Sequence, residues 1–138
     1  MLGTSEDRDP VIGVGELLAL ARSGLTRVTP AEALAESRNG AVLVDIRPAE
    51  QRARDGSLSG AEVIPRNVLE WRLDPCCEQC HPDLARPGAR VILICNEGYQ
   101  SSLAAATLRR FGLDATDVIG GVQAWLADGL PLDRQAMA

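Results

Sequence analysis

Aromatic side chains are almost missing from this chain: one tyrosine, one phenylalanine and two tryptophans make up 3% of 138 residues. The core must therefore be aliphatic, and the abundance of alanine, leucine and valine favours helices layered on a sheet, filled by branched side chains. An excess of positive charge is missing too. Fourteen basic residues stand against nineteen acidic ones, a net charge of −5, which is a poor footprint for nucleic acid or an anionic membrane. No apolar run is long enough to span a bilayer. The opening Met1-Leu2-Gly3-Thr4-Ser5-Glu6-Asp7 carries neither the basic nor the apolar region of a secretory signal. These absences predict a soluble, cytoplasmic protein with no nucleic-acid and no membrane partner. No internal repeat or low-complexity stretch is present, and the length suits one domain.

What is present alternates between two kinds of pattern. Residues 1–12 are polar and expected to fray, after which Val14, Leu17, Leu18 and Ala21 recur at helical spacing and Gly24 closes the turn. This first helix could pack on the body, lie over it as a lid or form half of a dimer contact, and packing is the commonest use of such a face. Leu25 to Val28 reads as a short strand. Thr29-Pro30-Ala31-Glu32 then combines an N-cap, a proline at the first helical position and a capping-box glutamate, so a helix is expected to about Arg38. Ala41 to Ile46 is a continuously apolar strand, Pro48 to Arg54 a short helix, and Ala61 to Ile64 a strand stopped by Pro65. Asn67 to Glu70 reads as a capped turn with Trp71 packed on the body. Ala115 to Ile119 is the last strand, and Val122, Trp125 and Leu126 mark the core side of a closing helix. Such alternation predicts an α/β fold with a mainly parallel sheet of about five strands and helices on both faces.

One stretch places chemistry at a junction. Val91-Ile92-Leu93-Ile94 suits a strand covered on both faces, and Cys95 follows it. Beyond the loop, Ala104, Thr107, Leu108 and Phe111 recur at helical spacing, with Ser101 or Ser102 available as a cap. Cys95 thus stands where a strand's carboxyl end meets a helix amino terminus, and the unpaired N–H groups there favour an anion. A thiolate in such a place is a nucleophile, whereas a buried strand-end thiol with no reactivity is the plainer alternative. Asp45, at the carboxyl end of the second strand, and Arg47 could shape a site or form a structural ion pair, the commoner use.

These segments, taken in order, resemble a rhodanese homology domain. The resemblance is carried by Cys95 and its Ser-Ser-Leu-Ala-Ala helix, by Val118-Ile119-Gly120-Gly121-Val122-Gln123-Ala124-Trp125, and by Gly129-Leu130-Pro131. Upstream it takes in Val42-Leu43-Val44-Asp45-Ile46-Arg47-Pro48-Ala49-Glu50 and Gly56-Ser57-Leu58-Ser59-Gly60-Ala61. It implies residues 1–24 as a tail with an extra helix, 25–133 as a rhodanese-like domain and 134–138 as a C-terminal tail. It also implies sulfur transfer. Cys95 would take the outer sulfur of a sulfane-sulfur donor as a persulfide, cradled by the backbone of Asn96, Glu97, Gly98, Tyr99, Gln100 and Ser101, and pass it to a thiol or protein acceptor. No metal and no organic cofactor is required. The loop departs from the family in its charge, because Asn96 and Gln100 stand where active members often carry a cation and Glu97 adds a negative group. A dianion such as thiosulfate therefore lacks electrostatic help, and a neutral, protein-borne or low-molecular-weight persulfide is the better donor. The alternative is a rhodanese-like binding or regulatory module without turnover. A phosphatase reading fails, since the spacing that would place a phosphate-binding arginine falls on Ser101.

A second cluster competes for attention. Cys76, Cys77, Cys80 and His81 crowd six positions in the proline-rich connection 72–88. Cys77-Glu78-Gln79-Cys80-His81 fits haem attachment, but that chemistry belongs to exported chains. Zinc ligation is awkward for adjacent cysteines with no second pair to complete the site. A redox role is open, with Cys77 and Cys80 forming a disulfide or accepting sulfur from Cys95 by thiol exchange, and reduced thiols with no task are the plainest reading.

Overall fold

Alternation of continuous apolar strands with amphipathic helices sets the order of the elements. In the computed structural model, which describes residues 9–134, they run α1 (Val14–Ser23), α2 (Pro30–Ser37), β1 (Val42–Asp45), α3 (Ala49–Asp55), β2 (Glu62–Val63), a 3-10 turn (Arg66–Val68), α4 (Leu69–Leu73), β3 (Arg90–Ile94), α5 (Gln100–Arg110), β4 (Asp114–Asp117) and α6 (Gly121–Ala127). The four strands form a parallel sheet in the order β2-β1-β3-β4. Side chains alternate along a strand, so β3 supplies both layers. Val91 and Leu93 pack with Val44, Ile46, Leu69, Leu73 and Leu108 on one face, while Ile92 and Ile94 pack with Leu43, Val118, Val122 and Trp125 on the other. That double coverage is why β3 reads as an unbroken apolar run.

The expected fifth strand shrinks to one bridge, Val28 to Val118, because the chain turns into the Thr29 cap at once. That cap forms as expected: Glu32 N–H donates to Thr29 Oγ1 at 3.1 Å and Thr29 N–H to Glu32 Oε1 at 2.8 Å. Other expectations need correction. Tyr99, not a serine side chain, occupies the α5 N-cap position, because Ser101 and Ser102 lie inside the first turn and face a buried carboxylate. Trp71 is 61% exposed rather than packed on the body, since Leu69 and Leu73 take the buried face of α4. On α1 the expected apolar stripe is only half used: Val14 is 77% exposed and Leu17 is exposed, while Leu18, Ala21 and Arg22 are partly covered. The polar start of the chain up to residue 8 and the tail from 135 lie outside the described residues.

No helix among the described residues is long and apolar enough to cross a membrane.

Candidate active site

The carboxyl ends of β1, β3 and β4 lie side by side, where parallel sheets present their sites. β3 delivers Cys95 there, 2% exposed, beside the 45–47 corner after β1 and next to β4, whose last residue is Asp117. The chain must then curl from strand to helix within four residues. Gly98, at φ +86°, makes that curl possible: a Cβ there would stand 2.8 Å from the Gly120 nitrogen and 3.1 Å from the Val118 carbonyl oxygen. The curl brings the Gly98 N–H to 3.1 Å from Cys95 Sγ. Gly121 is packed as tightly, against the Cys95 carbonyl and Asn96, and Val122 N–H donates to that carbonyl at 2.9 Å.

Behind the loop is a buried polar network. Ser101 Oγ lies 3.2 Å from Cys95 Sγ and donates to Asp117 Oδ2 at 2.7 Å. A hydroxyl has one proton, and Ser101 points its O–H at the carboxylate, so the contact to sulfur is a thiol S–H donating to Ser101 Oγ. Ser102 Oγ also donates to Asp117 Oδ2, at 2.8 Å. Asp117 is fully buried, and Arg27, with its side chain 15% exposed, closes on it through Nε at 2.9 Å and Nη2 at 3.1 Å. Arg27 Nη2 and Arg22 Nη2 both donate to the Gly98 carbonyl, at 3.0 and 2.7 Å. Arg22 Nε further donates to Ser102 Oγ at 3.0 Å, and its guanidinium sits 5.8 Å from the Tyr99 ring centroid.

In front of the loop, a pocket of about 290 Å³ is lined by Gln51, Cys95, Asn96, Glu97, Tyr99 and Gln100. A larger cavity, about 440 Å³, lies beside Arg38 and Trp125 at the amino end of β1, away from Cys95. Asn96 Oδ1 accepts from Gln123 Nε2 at 2.9 Å and Arg54 Nη2 at 3.4 Å. The charge of Arg54 is spent on Asp55, at 2.8 Å; that contact holds the Asp55 carboxyl below its ordinary range. Gln51 Oε1 is buried without a partner among the described residues.

Asp45 and Arg47 turn inward as a pair, Nη2 to Oδ2 at 2.7 Å, both essentially buried. Arg47 Nη2 also donates to the Gly56 carbonyl at 2.8 Å, which ties the end of α3 to β1. They are a structural clamp, and Cys95 is not among their hydrogen-bond partners. The cysteine cluster makes no hydrogen bond to Cys95 among the described residues; its connection runs into the amino end of β3, and His81 Nε2 lies 3.6 Å from Glu62 Oε2 on β2. Cys76 is exposed, and His81 Nδ1 accepts from the Asp83 and Leu84 N–H groups as a turn cap. Among the described residues no group of three or more histidine, cysteine, aspartate or glutamate side chains is placed to hold a metal ion.

Sequence reasoning found the loop but missed Arg22, Arg27, Ser102 and Asp117. For Asp117 a signal existed, because it ends a strand as Asp45 does. For the arginines none did, since they lie more than seventy residues upstream of the Gly98 carbonyl they reach.

Comparison with known proteins agrees with this layout. The family model for the rhodanese-like domain matches residues 29–128. Two maize (Zea mays) proteins, adenylyltransferase and sulfurtransferase MOCS3-2 and MOCS3-1, are each 35% identical over 96 residues, 69% of this chain. The chain spans about a fifth of the length of these curated relatives, 19% and 20%. Among solved structures, a Rhodopseudomonas palustris protein of unknown function, described as a possible tyrosine phosphatase, is 30% identical with a TM-score of 0.81, over 91% of this chain and 98% of its own. The polysulfide-sulfur transferase homodimer of Wolinella succinogenes is 26% identical with a TM-score of 0.66, over 86% of each chain. With its sheet, its cysteine loop and the matched span together covering most of its length, the chain belongs to the rhodanese-like domain family.

Proposed function

We propose that this protein is a sulfurtransferase that carries sulfane sulfur on Cys95. The observation that bears most weight is the Gly98 N–H aimed at Cys95 Sγ at 3.1 Å from a loop that opens onto a pocket, an arrangement suited to a negatively charged sulfur. In the first half-reaction the Cys95 sulfur attacks the outer sulfur of a persulfide R–S–SH. The new S–S bond forms as the old one breaks, R–S⁻ leaves with the electron pair, and the Cys95 thiol proton passes to that leaving thiolate. In the second, an acceptor thiolate attacks the outer sulfur of Cys95–S–SH and returns Cys95 as a thiolate. Sulfur is neither oxidised nor reduced overall.

The donor class follows from the mouth of the site. Glu97 is negative, Asn96 and Gln100 are neutral, and Arg54 is already paired, so a dianion gains little there. A thiol persulfide, small or protein-borne, does not depend on such a charge and fits this mouth. The same charges disfavour phosphate ester chemistry, and Ser101 stands where a phosphate-binding arginine would be needed.

The test is delivery. Protein loaded with a low-molecular-weight thiol persulfide and freed of excess donor should hand one sulfur per chain to an added thiol, and Cys95→Ser should hand over none. A folded parent protein that accepts no sulfur from any persulfide would return the family's non-catalytic role as the better reading.

A further inference from the structure

The loop around Cys95 has no cation of its own, yet two guanidinium groups touch its backbone from the far side. We propose that Arg22 and Arg27 are positioning residues for the active-site loop, supplying from behind the positive charge that its front lacks, with Asp117 as their counterweight. The inference rests on Cys95 as the reacting sulfur and goes beyond the family match, because both arginines precede residue 29, where that match begins.

The geometry carries the argument in two steps. Position comes first. Arg22 and Arg27 donate to one carbonyl oxygen, that of Gly98, at 2.7 and 3.0 Å, and this residue's own N–H points at Cys95 Sγ. Two charged donors on one acceptor hold the curl so that its N–H stays aimed. Charge comes second. Buried Asp117 and the half-buried Arg22 and Arg27 sum to one positive charge, enough to balance a single anion at sulfur and not two. All fourteen basic residues of the chain are arginines, whose charge does not change over the working pH range. The remaining charged groups near Cys95 are already engaged or face water. Asp45 and Arg47 are closed on each other, Arg54 is closed on Asp55, and Glu97 and Tyr99 are exposed on the loop. α6 presents only the neutral Gln123 to Asn96.

Asp117 opposes the arginines. It accepts the Ser101 hydroxyl hydrogen bond, so Ser101 Oγ turns a lone pair to sulfur and accepts a hydrogen bond from the thiol S–H. Weakening Asp117 should favour the thiolate, whereas weakening either arginine should disfavour it. A network that merely held the first helix in place would not produce opposite signs.

The experiment follows the rate of Cys95 alkylation by iodoacetamide against pH in full-length protein with Cys76, Cys77 and Cys80 replaced by serine. It needs no sulfur transfer, so a failure of the enzymatic reading leaves it intact, and the reverse. Arg22→Gln should move the profile to higher pH and Asp117→Asn to lower pH. Below the midpoint, a tenfold change in thiolate fraction partly offset by altered nucleophilicity gives about a threefold change in rate, slower in the first and faster in the second. Arg22→Lys should keep the profile near that of the parent. Arg27→Gln should behave as Arg22→Gln; if the unpaired Asp117 prevents it from folding, the other three variants decide. Profiles that stay in place, or that move in the same direction for Arg22→Gln and Asp117→Asn, would overturn the proposal.

Discussion

At the scale of single residues, Cys95 is defined by what reaches it rather than by its neighbours in sequence. The Gly98 N–H approaches from the loop and Ser101 from the helix start, and Ser101 leads to Asp117 and Arg27. Of these, the loop was legible, because an unbroken apolar strand ends at Cys95 and a helical pattern resumes within a few residues. Asp117 and the two arginines were not, since hydrogen bonds across seventy or more residues leave no periodic trace. The front of the site is where substitution is most informative. Asn96 lines the pocket while its amide is held by Gln123, and Gln100 is exposed at the first position of α5. Replacing both by arginine places two cations beside the entering anion, each worth about 1 kcal/mol when partly desolvated, so turnover with thiosulfate should rise about tenfold or more. A folded double variant that gains nothing with thiosulfate would show that missing charge is not what limits it.

At the scale of elements, local signals succeeded where they were self-contained and failed where a partner decides. Thr29 to Glu32 carries every part of its cap within four residues, and α2 begins as read. Trp71 and the outer face of α1 were misread because helical spacing reports which residues share a face, while the neighbouring element decides whether that face is covered. The fifth strand failed for a similar reason: Val28 finds one bridge, to Val118, before the cap ends the extended chain. The cap also makes a prediction in pH. The backbone N–H of Thr29, with its hydroxyl adding to the effect, holds the Glu32 carboxyl below its ordinary value of 4.5. A carboxyl with a depressed folded value stabilises the protein above its unfolded value, and loses that contribution as pH falls through the folded one. Glu32→Gln should therefore melt below the parent at about pH 7, and the gap should close below about pH 4. A gap that widens in acid would contradict this.

At the scale of the whole molecule, the parallel sheet with helices on both faces was legible because β1 and β3 are buried on each side and show it as unbroken aliphatic runs. The branched side chains of those strands also explain how a core can form with so few aromatic rings, Trp125 being the large exception. The 72–88 connection was the reverse case. Its cysteines are conspicuous in sequence, yet it meets the sheet at the amino end of β3, and the site lies at the carboxyl end. Thiols that are exposed (Cys76) or only half-buried (Cys77 and Cys80) in such a connection support little of the core, so a Cys76/Cys77/Cys80→Ser variant should melt with the parent protein. That variant also enters the measurement that bears most directly on the central claim. After brief exposure to a thiol persulfide, intact-mass and peptide mass spectrometry should show one added sulfur, about 32 Da, on Cys95. The same gain should appear in Cys76/Cys77/Cys80→Ser and be absent from Cys95→Ser. An adduct that persists in Cys95→Ser, or that sits mainly on Cys76, Cys77 or Cys80, would contradict the assignment of Cys95 as the sulfur carrier.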